Sequence, residues 1–456
     1  MAIPVWENFK SRHFLAFNGT HSALINRNFF TILAIFQDSA RLVGPEVFRS
    51  LWHSLKYGIM TQQPVMKASM SKPTILLAPA TFKGSLSAPE AVMVMAQFLT
   101  GQFGEAVRLI HCPVADGGDD TLSVLQSVEP AAQCIAATVT GPVADLRVSA
   151  EYLWLPHKKT VVIESAQAHG LKLLGGKLAP MAATSYGVGE LILHALAKFQ
   201  PENLVVTVGG SASTDAGLGA LQALGVRFED ALGQPLEPPI GGQNLLEIER
   251  VVFSEPTFSI GRLVIATDVI NPLLGPQGTA SIFAPQKGAD AKQIEQLALG
   301  LLHVSRLMAR AFGVDLTTLP GVGAAGGLAY GLRHLPRSGI ISGSQWLAEA
   351  LDLPQKIAEA DLIITGEGCF DLTSLSGKAT GHLLGWAGDK PIVILCGQAE
   401  AGLGLQPPVY VLPLAKEAQL VKACFDNPKL ALRARLRQAV PLLRTLLKLN
   451  SPKPAL

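Results

Sequence analysis

At 456 residues, 48% of them apolar and only 16% charged, the chain is long enough for more than one hydrophobic core and falls outside the disordered class. Its formal net charge of +2, from 37 basic and 35 acidic side chains, excludes the broad basic field of a nucleic-acid or anionic-membrane binder, so an anion site must be local. The cysteines Cys112, Cys134, Cys369, Cys396 and Cys424 have no CxxC spacing, which argues for a reducing cytoplasm, and the apolar stretch Phe29–Phe36 is far shorter than the roughly 20 residues a membrane-spanning helix needs.

In chain order, residues 1–70 come first, rich in aromatics (Trp6, Phe9, Phe14, Phe29, Phe30, Trp52) and with seven basic but three acidic side chains. Two readings stay open for them: an upstream extension, with Met70 as an alternative start, or an amphipathic segment used for targeting or docking. From Ser71 onward, short aliphatic runs alternate with helical spacing. Strands are predicted at 74–78, 107–114, 160–163, 203–208, 263–266 and 361–365, and helices at 88–99, 184–199, 214–224 and 376–386, with Gly225 where the third helix stops. Segments 235–242 and 336–344 read as surface loops. Strand, loop and helix in repetition predict an α/β protein with mainly parallel sheets, whose ligands gather beyond the strand carboxyl ends.

Those strand ends carry the polar residues. Lys83 follows the first strand in Thr81-Phe-Lys-Gly-Ser85, and Pro113-Val-Ala-Asp-Gly-Gly118 follows the second. Asp116 there suits magnesium or a substrate hydroxyl, whereas Asp119 and Asp120 suit the first turn of the next helix. Next comes Val208-Gly-Gly-Ser-Ala-Ser-Thr-Asp-Ala-Gly-Leu-Gly219. Its glycines, hydroxyls and helix start fit an anion cradle, though a tight capped turn would look the same. Asp268 ends a strand in Thr267-Asp-Val-Ile-Asn-Pro272, and Lys287 stands in Pro285-Gln-Lys-Gly288. Finally Thr365-Gly-Glu-Gly-Cys-Phe-Asp371 precedes Ser376-Gly-Lys378, a carboxylate pair and a lysine of the types that hold a metal–phosphate complex. There is no GxxxxGK[ST] loop and no GxSxG elbow, so a P-loop enzyme and a serine hydrolase are disfavoured. The residue types fit phosphoryl transfer, in which positioning and charge neutralisation do most of the work.

With Ala78-Pro-Ala-Thr-Phe-Lys-Gly-Ser-Leu-Ser-Ala88, Pro113–Gly118, Thr140-Gly-Pro142, Thr184–Ile192, Gly209–Ala212, Asp268–Gly275, Pro285–Ala289, Gly323–Leu328 and Thr365–Gly368 in this order, the sequence resembles the bacterial glycerate kinase family. The resemblance implies a discontinuous flavodoxin-like three-layer domain from 71–143 and 355–450, with an inserted restriction-enzyme-like α/β domain at 144–354 and the site in the cleft between them. It implies ATP and Mg2+, with D-glycerate as acceptor and 2-phosphoglycerate as the favoured product, in a cytoplasmic enzyme for which a homodimer is a candidate assembly, with no nucleic-acid or membrane partner. By matching position it makes Asp215, Asp268 and Lys83 catalytic, with Asp215 acting on the attacking hydroxyl. Gly209, Gly210, Ser211, Ala212, Ser213, Lys287 and Lys378 become nucleotide-binding, and Asp116, Glu367 and Asp371 metal-binding. The chain departs from the family at Ala80-Thr81, where Asp-Ser is usual, at Cys369, where arginine is usual, and at Thr214, where asparagine is usual. A silent glycerate- or nucleotide-binding sensor and a kinase for another small hydroxy acid therefore stay open at this point.

Overall fold

The computed structural model describes residues 72–449 except 119, 254–258, 376–378, 416 and 418–419. The 1–70 segment with Met70, together with Asp119 and Lys378, lies outside the described residues.

The strands are β1 (Thr74–Leu77), β2 (Arg108–His111), β3 (Gln133–Thr140), β4 (Arg147–Leu155), β5 (Thr160–Glu164), β6 (Asn203–Thr207), β7 (Arg227–Glu229), β8 (Arg250–Val252), β9 (Arg262–Ala266), β10 (Ser338–Ile341), β11 (Leu362–Phe370), β12 (Ile392–Ala399) and β13 (Val409–Pro413). Five form one sheet in the order β13-β12-β11-β1-β2, and six form another in the order β10-β9-β6-β5-β4-β3. The first sheet is parallel throughout. Its interior strand β1 is buried on both faces, which is why Ile75, Leu76 and Leu77 form an unbroken apolar run rather than an alternating one. The second sheet is parallel from β5 through β10 and antiparallel at β3 and β4.

The helices start and stop where side-chain chemistry says they should. Helix Ala88–Phe103 begins at a capping box in which Ser87 and Glu90 bond each other's backbone N–H, worth about 1 kcal/mol, and it ends at Gly104. Helix Ala291–Phe312 repeats the device with Asp290 and Gln293 and ends at Gly313, whose φ of 71° suits glycine. Segment 336–344, predicted as a loop, instead contains β10, paired in parallel with β9, and Ser342, the N-cap of helix Gly343–Ala350. Its Pro-Arg-Ser-Gly start carries turn residues, and neighbouring β9 overrides that local preference.

One hydrophobic cluster draws on both sheets: Leu76 and Ile363 from the first, with Cys112 just after β2, pack with Leu153, Val162, Val205 and Val264 from the second. The two sheets thus share a core. In the first, the chain steps from β1 to β2 on one side and later from β11 outward to β13 on the other, so the order reverses between β1 and β11. Such a reversal splays the connecting loops apart and opens a crevice at the strand carboxyl ends.

Candidate active site

A cleft of about 1080 Å³ opens at that crevice and extends across to the carboxyl ends of β6 and β9. Its walls include Lys83 after β1, Asp116, Gly117, Gly118 and Asp120 after β2, and Gly209 and Gly210 after β6. Asp268 follows β9, and Glu367 and Asp371 come from β11 and the turn beyond it. The β1 loop is stitched to β11 by Ala78 N donating to Ile364 O, Ala80 N to Gly366 O and the Thr365 hydroxyl to Ala78 O. Where the two halves of the wall meet, Gly117 has φ 70° and any Cβ would lie 2.5 Å from the Gly343 backbone, so only glycine fits.

Four of the cleft carboxylates are anchored by donors. Asp116 Oδ1 accepts from Ala379 N at 2.8 Å, at the start of helix Ala379–Ala387. Asp268 accepts from Ser342 Oγ at 2.6 Å, Ser344 Oγ at 3.0 Å and Ser344 N at 3.1 Å, so the beginning of helix Gly343–Ala350 fixes it while it stays exposed. The Ser374 hydroxyl lies 2.9 Å from Glu367 Oε2 and 3.5 Å from Asp371 Oδ1, which ties those two carboxylates to one point. Asp120 was expected to serve the following helix. It occupies the N-cap with φ 70° but makes no side-chain cap bond, and Thr121 N donates to Glu164 instead.

The anion cradle read from residues 209–213 reaches the cleft only through Gly209 and Gly210. Ser211, Ala212 and Ser213 are buried behind it, with Ala212 N donating to His169 O. Lys287, expected to grip an anion, is 2% exposed and donates to Ser211 Oγ and to the Ser213 carbonyl. It therefore braces the loop from behind. Burial pushes its ammonium down to about 7, while the nearby Asp215 carboxylate opposes that fall.

Asp215 is also away from the cleft. It is fully buried and accepts from Ser185 N, Ser185 Oγ, Gly217 N and Gly219 N. Burial raises its pKa, and these hydrogen bonds pull the other way. It does not line the cleft, and its four donors make it a tie across the loop. Two cleft features were not read from the sequence. Lys172 lines the wall after β5 and the short helix Ala166–His169, whose C-cap is Gly170. The apolar residues Leu414, Val421, Phe425 and Pro428 form the far side.

Beside Lys287, His169 is wholly buried, with Nδ1 3.1 Å from Ser213 Oγ, and burial drives it down to about 3. Its folded value is below the ordinary 6.5, so the unfolded chain binds the extra proton between those two pH values. The stability it contributes is present above about pH 6.5 and is lost as pH falls toward 3. Urea midpoints should drop across that window in the wild type, more steeply than in His169→Gln. Parallel pH profiles for the two proteins would contradict the assignment.

The model of the glycerate kinase family matches residues 75–444. The chain belongs to the glycerate kinase family. It is 35% identical over 334 residues to the glycerate 2-kinase of Escherichia coli, covering 73% of this chain and 87% of that one. Similarity to the glycerate kinase of Halalkalibacterium halodurans is 36% over 310 residues, covering 67% and 80%. A crystal structure described as glycerate kinase 2 from Salmonella typhimurium LT2 superposes with a TM-score of 0.68 at 30% identity, covering 82% of this chain and all of that one. As a glycerate kinase, the chain is a phosphotransferase with an alcohol group as acceptor. Among the described residues no helix is long and apolar enough to cross a membrane.

Proposed function

We propose that the cleft moves the γ-phosphoryl group of ATP to the 2-hydroxyl of D-glycerate, giving 2-phosphoglycerate and ADP. One observation carries this: the acidic and glycine-bearing ends of β2, β6, β9 and β11 face a single cavity together with Lys83. In the proposed step the hydroxyl proton passes to a carboxylate, the oxygen bonds the γ-phosphorus, and the bridging oxygen leaves with ADP. Asp268 is our candidate for that carboxylate, because it is exposed in the cleft and held rigidly by Ser342 and Ser344. Asp215 then keeps the glycine loop in shape. Lys83, at the loop tip, neutralises phosphate charge, and Gly209 and Gly210 allow close approach of an anion.

Among the described residues no group of three or more His, Cys, Asp or Glu is arranged to hold a metal ion. Magnesium, however, is commonly held by only one or two carboxylates together with nucleotide phosphates and water. The cleft carboxylates Asp116, Glu367 and Asp371 fit a cation delivered on ATP, which would offset charge on the transferring group. In the same reading the five-stranded sheet belongs to a flavodoxin-like domain split across the chain, and the six-stranded sheet to a restriction-enzyme-like one. The first joint then falls before β3, which bonds into the second sheet although it lies within 71–143.

Phosphorus NMR of the product tests the proposal. In the proton-coupled spectrum a 2-phosphate should appear as a doublet, from the single proton on its carbon, whereas a 3-phosphate would give a triplet and move the assignment to the other hydroxyl. A second reading, activity on another small hydroxy acid, draws on Ala80 and Cys369, which both line the cleft at positions where the resemblance leads one to expect aspartate and arginine. An acceptor panel in which some other acid outpaces D-glycerate would favour it.

A further inference from the structure

We propose that the far side of the cleft, formed by Leu414 and the stripe Val421, Cys424, Phe425 and Pro428, is the subsite that receives the base of the nucleotide. This rests on the kinase reading above. Val421, Cys424 and Phe425 follow the spacing i, i+3 and i+4, one face of the short helix Val421–Asp426, and Pro428 opens the next helix after the non-helical Asn427. In a globular protein such a stripe normally covers a core. Here all four residues line the cleft, and Phe425 is left 53% exposed.

Two close approaches connect this apolar wall to the charged part of the cavity. A Cβ on Gly84 would lie 3.0 Å from the Phe425 ring, and one on Gly368 would lie 3.2 Å from Lys83 N. The ring therefore stands over the residue next to Lys83, and the Lys83 backbone lies against the end of β11 that carries Glu367. A ligand with a flat apolar head and an anionic tail matches that order: head on Phe425, tail past Lys83 toward the carboxylates. The cavity size agrees. At about 1080 Å³ it is just above the roughly 300–1,000 Å³ that accommodates a drug-sized molecule, and a three-carbon acid fills only a small part.

The test is calorimetric titration of the full chain with Mg2+·ATP and, separately, with Mg2+·tripolyphosphate, which has the tail but no base. The wild type should prefer ATP. In Phe425→Ala, ATP affinity should fall about tenfold, as loss of one stacked ring typically does, with tripolyphosphate affinity unchanged, and Phe425→Trp should restore ATP binding. Because Phe425 is half exposed, its truncation removes no core contact of consequence, and an unchanged melting temperature would verify that. Equal weakening of both ligands, or of neither, in a chain that still phosphorylates glycerate would overturn the subsite alone. A wild-type chain that neither binds nor consumes ATP would overturn the kinase reading and the subsite together.

Discussion

Asp268→Asn should lower kcat by about 10²–10⁴, the usual contribution of a positioned general base, with little change in KM for ATP. Asparagine keeps the size of the side chain and one acceptor oxygen, so the contacts from Ser342 and Ser344 are only partly lost. Asp268 is exposed, so the expected stability change is below about 1 kcal/mol. The measurement is ADP release with saturating D-glycerate, alongside a melting curve. A loss of tenfold or less with an intact fold would mean that the proton goes to another group, with Asp116 next to be tried.

Asp215→Ala should act in the opposite way, on stability far more than on chemistry. Removing the carboxylate strands four buried donors at once, from Ser185 N, Ser185 Oγ, Gly217 N and Gly219 N. It also deprives buried Lys287 of the negative charge that partly sustains its ammonium. Breaking a buried arrangement of this kind typically costs about 3–5 kcal/mol, a large part of the stability of most folded domains. Urea unfolding should show the loss. The milder Asp215→Asn then separates the two roles: per folded molecule its kcat should stay within about tenfold of wild type, and a fall of a thousandfold would return Asp215 to the chemistry.

The contrast between these two aspartates shows which parts of the site could be read from the chain. Asp116, Gly209, Asp268 and Glu367 each come directly after an aliphatic run, so a local pattern marks them as strand ends, and parallel topology then brings strand ends together. Asp215 sits in an equally suggestive motif. Its burial depends on Ser185, thirty residues away in sequence, and no local pattern reveals that partner. Lys287 is similar, since its bonds to Ser211 and Ser213 span 76 and 74 residues. In the fold, β1, β5, β6, β9 and β11 were legible from β-branched and aliphatic runs. β10 was hidden by turn-forming residues, and β3, with Gln, Cys, two Thr and two Ala, offers little apolar contrast to detect. The common core of Leu76, Ile363, Val162 and Val264 was likewise out of reach, because it depends on how the two sheets dock.

The pairing of β1 with β11 has a consequence for biosynthesis. Ile75 aligns with Leu362, so an early strand waits for a partner made 287 residues later. At about 5–20 residues per second on the ribosome, that wait lasts roughly 15–60 s. The six-stranded sheet, whose strands all lie between Gln133 and Ile341, is complete before β11 emerges. During the interval the nascent β1 has an uncovered apolar edge of the kind that recruits other chains, and a ribosome that stalls before residue 362 would release a product prone to aggregate.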